Sequence, residues 1–146
     1  MSDVLRAVAV LALIAGNAFF VIAEYSVVTA RRGRLPGGGA GTRAALRLMD
    51  DPVRVISTVQ VGITAIGILT GAVGEPVVRD LLGGGIPSWL SFAIAFGAVT
   101  YLSVVLGELV PKALTLDRAE RLVVVIARPV EALEKLLRPV VWVLEK

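Results

Sequence analysis

A chain of 146 residues that is 56% hydrophobic is more apolar than an ordinary soluble domain and is the length of one domain. It has no cysteine and no histidine, which excludes disulfides, thiolate chemistry, imidazole-held metals and a Ser-His-Asp triad. The net charge is only +3, so the placement of the charges says more than their sum. Any metal held here needs oxygen ligands, which favours Mg2+, Ca2+ or Na+ over zinc or copper.

The first apolar block, Val4 to Ala30, has ~27 residues, enough to span a bilayer. The basic cluster Arg31, Arg32, Arg34 follows it. A secretory signal would carry its basic residues first, so a retained transmembrane helix is the better reading. The segment from Arg31 to Gly41 reads as a flexible loop, being dense in Gly and Pro. It lacks the Gly-Lys-Ser/Thr ending of a phosphate-cradling loop. Thr42 to Met49 is a short helix with Thr42 as N-cap.

Asp51 and Pro52 open the next helix as N-cap and first helical residue. A second span runs from about Val53 to Val73. Ser57, Gln60, Thr64, Gly67 and Gly71 recur at steps of three and four and line one face of it. Gly67 and Gly71 read as a helix–helix seam, whereas a seam has no need of the Gln60 amide. Gly74 to Pro87 is a connector containing Glu75, Arg79 and Asp80. The third span runs from about Pro87 to Pro111, with Trp89 and Lys112 as interfacial anchors.

The tail from Ala113 alternates apolar and charged residues at helical spacing. Arg128-Pro129 and Arg138-Pro139 are expected to bend it. The membrane surface is the favoured place for it, a soluble partner the alternative. Basic residues crowd the first loop (Arg31, Arg32, Arg34, Arg43, Arg47, Arg54) and the tail (Lys112 through Lys146). The N-terminus and the second loop have one each, Arg6 and Arg79. Three spans then put the N-terminus outside and the C-terminus in the cytoplasm of a multi-pass cell-membrane protein.

Two carboxylates, Glu24 and Glu108, lie inside the apolar blocks. A carboxylate in hydrocarbon is costly without a partner or a task. Glu24 falls roughly 10 Å from the Arg31 end of its helix, and Glu108 roughly 6 Å from Lys112. Gln60 and Thr64 fall about 9 and 15 Å deep, in the same half of the membrane. Asn17 lies on nearly the face of Glu24, seven residues before it. The plain reading of Glu108 is an ion pair with Lys112, four residues on. Glu24 has no local partner. An acid-and-hydroxyl layer suits cation coordination, and no nucleophile–base pair points to an enzyme.

The runs Asn17-Ala-Phe-Phe-Val-Ile-Ala-Glu-Tyr25, Ser57-Thr-Val-Gln-Val-Gly-Ile-Thr64 and Thr100-Tyr-Leu-Ser-Val-Val-Leu-Gly-Glu-Leu-Val-Pro-Lys112 resemble the transmembrane domain of the CNNM/CorC family, which includes proteins labelled haemolysin-like. The resemblance covers essentially residues 1–146 and is most specific in Gly107-Glu-Leu-Val-Pro-Lys112. It implies an all-α membrane protein with three transmembrane helices and a cytoplasmic juxtamembrane helix. It also implies a homodimer in the lipid bilayer, with no nucleic-acid partner. The implied activity is Mg2+ export driven by Na+ influx, with Glu24 and Gly107-Glu108 bordering the ion site. Family exporters carry serines before the first Glu and an Asn pair on the second helix, where this chain has Val21, Ala23, Ile63 and Thr64. The expected ligand set is therefore Glu24, Glu108, Gln60, Thr64, Ser26 and Gly107. Family members continue into cytoplasmic nucleotide-binding CBS domains, and the chain, ending at Lys146, is expected to be a fragment without them. The alternative is a membrane anchor or scaffold for such domains that moves no ion.

Overall fold

The computed structural model describes residues 3–145. Lys146, counted above in the basic tail, lies outside the described residues. The elements are α1 (Asp3–Thr29), a single 3-10 turn (Arg32–Arg34), α2 (Ala40–Asp50), α3 (Pro52–Leu82), α4 (Ser88–Val104), a π turn (Val105–Leu109) and α5 (Val110–Glu145). Among the described residues there is no strand. Three helical stretches are long and apolar enough to cross a membrane, starting at Val4, Pro52 and Ser88. Their outward faces carry exposed Val8, Leu11, Ile68, Leu69 and Ile94, which suits hydrocarbon rather than water. The expected fold class, an all-α membrane protein with three spans, holds.

Several boundaries differ from the expectation. Asp51 caps α3 as expected, accepting a hydrogen bond from the Arg54 N–H, with Pro52 in the first turn. Thr42 does not cap α2. Gly39 holds that position, and the Thr42 hydroxyl instead donates back to the Pro36 carbonyl at 2.6 Å, tying the loop to the helix. The connector expected over Gly74 to Pro87 is helical as far as Leu82, because α3 runs through Pro76 and ends where Gly83 takes φ 77°. The tail stays helical through both of its prolines. Pro129 and Pro139 lie on the exposed side of α5. The break comes at Arg118, with φ −133° and ψ 27°.

The core sits at the basic end of the bundle. Ala119, Val123, Ile126, Ala127 and Val130 of α5 pack on Ala44, Ala45 and Leu48 of α2, Val27 of α1 and Ala30 just past its end, and Val55 and Val59 of α3. The first half of the amphipathic tail thus packs its apolar face on its own chain, while Leu136, Val140, Trp142 and Val143 further along stay exposed. Arg47 of α2 clamps Glu131 of α5 through Nε and Nη2, at 2.8 and 2.9 Å. At the opposite end, Arg6 of α1 pairs with Asp80 of α3 at 3.0 Å.

The span helices meet through small residues. A Cβ on Gly62 would come within 2.5 Å of the Phe20 ring, so only glycine admits α1 this close to α3. Gly16 faces Ile66, and Gly74 faces Val10 and Val99. These contacts set the register: α1 and α3 run antiparallel, and α4 packs on α3 in the same direction as α1.

Candidate functional site

Beyond Gly74 and Val99 the three helices part and enclose a cavity of about 270 Å³. Its polar lining comes from Asn17 of α1, Thr70 and Glu75 of α3, Thr100 and Ser103 of α4, and Glu108 of the π turn. Ile14, Ile63, Phe96, Val99 and Val104 make an apolar waist between them.

The π turn gives Glu108 its place. The Val110 N–H bonds the Val105 carbonyl, five residues back, which inserts one extra residue into an otherwise α-helical run. Gly107 faces α1 there, and its carbonyl accepts a 3.0 Å hydrogen bond from Asn17 Nδ2. A Cβ on Gly107 would sit 3.0 Å from that nitrogen, so glycine is what lets α1 close on the turn. With Nδ2 donating, Asn17 keeps its Oδ1 as a free acceptor beside the cavity. Among the described residues no ion pair joins Glu108 to Lys112. The Lys112 ammonium lies 5.1 Å above the Tyr25 ring instead.

The expected ligands do not converge. Glu108 lines the cavity and Gly107 buttresses it. Glu24 does not line it. Seven residues from Asn17 on nearly the same face of α1, it lies about 10 Å nearer the basic end. Ser26 is fully buried and donates to the Ala23 carbonyl at 3.2 Å, so its hydroxyl serves its own helix. Gln60 and Thr64 are exposed on the outside of α3. The physical reason is rotational: α3 packs on α1 through Val55, Val59, Gly62 and Ile66, and the polar stripe lies beside that face rather than on it. Only its far end, Gly67 and Gly71, reaches the cavity. Nothing stands within 4 Å of a Cβ built on either glycine, so within this chain they are not the seam their spacing suggested. Among the described residues no three acidic side chains gather as a metal cage.

Glu75 and Thr70 are the lining residues the sequence reading passed over. Glu75 continues the same stripe, four residues past Gly71, and Pro76 disguised it by reading as a helix end. Arg79 reaches back to it, with Nη2 to Oε2 at 3.1 Å and Nε to Oε1 at 2.9 Å.

Residues 8–146 match the family model described as the cyclin M transmembrane N-terminal domain. The chain is 36% identical to the UPF0053 protein YhdT of Bacillus subtilis, over 99% of this chain and 34% of that protein. It is 37% identical to the uncharacterized protein Rv1841c of Mycobacterium tuberculosis, over 94% of this chain and 43% of that one. It is 28% identical to a Haemophilus influenzae protein named polyamine export protein, over 92% of this chain and 34% of that one. The chain therefore spans well under half the length of these curated relatives. With the family model matched over nearly its whole length, the chain belongs to the CNNM transmembrane-domain family.

Proposed function

We propose that the chain is the membrane domain of a cation exporter whose cargo binds beside Glu108. One observation carries the reading: a carboxylate with no basic partner among the described residues lines a cavity between three membrane-crossing helices. A charge held there is costly unless it meets another. Mg2+ is the cargo this reading favours. That ion keeps several of its waters and needs only one or two carboxylates, so Glu108, Asn17 Oδ1, Ser103 and Thr100 make a fitting partial shell. In this reading the basic end faces the cytoplasm, Glu24 is the first charge a departing cation meets, and Na+ supplies the return flux. The open Gly67–Gly71 face supports a homodimer.

A second cargo has its own support. A relative is named polyamine export protein, and an organic polycation needs acids at separated points with apolar surface between them. Glu108 and Glu75, on either side of the apolar waist, offer that.

The test is flux from vesicles loaded with Mg2+, Co2+ or putrescine. Glu108→Gln is expected to cut export of the true cargo at least tenfold. Glu24→Gln is expected to raise KM more than it lowers kcat, because that residue lies off the cavity. No flux of any of these above empty vesicles favours a scaffold that moves nothing.

A further inference from the structure

The cavity has a second charged end, Glu75, whose pairing with Arg79 the proposed function leaves unexplained. Gly74 packs on Val99, and Glu108 lies nine residues further along the α4 run. Glu75 and Glu108 are thus separated by roughly 13 Å along the helix axis. Glu75 also lines an adjoining cleft with Gly67, Gly71, Phe92 and Phe96, so its carboxylate stands where the cavity opens sideways.

Its environment is asymmetric. The Glu75 side chain is 11% exposed and its Oε1 is sealed from solvent without a well-aligned hydrogen bond. The Arg79 side chain that neutralises it is 43% exposed. The acid is fixed at the cavity wall while the base sits on a flexible stem at the surface. Asp80, the neighbouring acid, is already engaged by Arg6 and does not compete for Arg79.

Resting on the cation-export reading, we infer that Glu75 is an outer cation-release site and that Arg79 is its tethered competitor. A cation leaving Glu108 crosses the waist and displaces the guanidinium from Glu75. Arg79 then returns and expels the cation outward. A carboxylate without that competitor would hold its cargo. A carboxylate satisfied permanently by Arg79 would not need to face the cavity. The ligand chemistry is a small inorganic cation or one ammonium of a linear amine, and both meet the same carboxylate.

The exchange is tested by calorimetric binding of Mg2+ and, separately, of putrescine to the purified chain in a Glu108→Gln background, which isolates the outer site. Adding Arg79→Gln is expected to tighten binding of one probe or both at least tenfold. Arg79→Lys keeps a competing charge and is expected to leave affinity within about threefold of its parent. Adding Glu75→Gln to Arg79→Gln is expected to abolish the gain. Tightening for Mg2+, for putrescine or for both supports the inference and identifies the cargo. Tightening for neither, or tightening that survives Glu75→Gln, overturns it. In an otherwise native chain, Arg79→Gln is expected to slow export of that cargo. If Glu108→Gln alone leaves export intact, the reading of Glu108 fails while the outer-site measurement still stands.

Discussion

Asn17 and Gly107 show how much one pair of residues decides. The amide satisfies a carbonyl in an apolar region and holds α1 against the π turn. Replacing Asn17 with Leu leaves that carbonyl without its donor, at a cost of about 1–3 kcal/mol. The expected outcome is a lower melting temperature in detergent and a cavity too poorly set to bind cargo. The two acids by which α5 meets α2 and α3, Glu131 and Glu134, respond to pH in opposite senses. The Arg47 guanidinium, hydrogen-bonded to Glu131, holds that carboxyl below its usual value. Its contribution is present above the ordinary glutamate range and is lost as pH falls through the lowered pKa. Burial pushes Glu134 up, against the opposing pull of Arg54. Its contribution is complete below the ordinary range and is lost as pH rises through the raised pKa. Glu131→Gln is therefore expected to lower the melting temperature at pH 7 and to change little in strong acid. Glu134→Gln is expected to flatten the loss of stability seen on going from pH 4 to neutral. Thermal melts across that range check both.

Among the elements, α3 carries two kinds of glycine that the sequence does not distinguish. Gly62 is pressed against the Phe20 ring, whereas Gly67 and Gly71 border open space. Gly62→Ala forces apart α1 and α3 and is expected to cost about 1–3 kcal/mol. Gly67→Ala is expected to leave folding stability within about 0.5 kcal/mol, or to raise it by removing helix-interior glycine. Chemical denaturation of the detergent-solubilised variants separates the two. The π turn makes a sharper case. Deleting Val105 removes the extra residue and lets α4 pass into α5 as a plain α-helix. That rotates Gly107 and Glu108 away from Asn17. The expected result is a folded helical protein, by circular dichroism, that no longer binds cation.

For the molecule as a whole, the basic end and the cavity end are stabilised differently. The basic end has a conventional core in which α5 covers α2. The cavity end relies on three helices whose outward faces need lipid. Removing residues 119–146 uncovers Ala44, Ala45, Leu48, Val55 and Val59. The truncated chain is expected to insert in membranes yet expose α2 to limited proteolysis, which the intact chain resists. Retained protection of α2 would mean that α5 is not its cover.

Three spans, the Asp51-Pro52 helix start and a buried acid at Glu108 were legible in the chain itself. Length, hydropathy and capping are local properties, and a buried acid in an apolar run announces itself without any fold. Which polar groups line the cavity was not legible. Gln60 and Thr64 share a stripe with Gly67 and Gly71, but a stripe does not say which neighbour it meets. That depends on how far α3 is rotated against α1, which the fit of Gly62 to Phe20 decides. Glu75 was hidden because Pro76 ends most helices, and only the tertiary fold shows α3 continuing through it to close the cavity. Glu24 and Glu108 looked like one layer because depth was counted along each helix separately. Asn17 is level with Gly107, so Glu24, seven residues on, lies about 10 Å further along, and of these two acids Glu108 is the one that lines the cavity. Periodicity and composition determined what crosses the membrane. Only the helix rotations, fixed by side chains meeting across the bundle, decided which polar groups face one another.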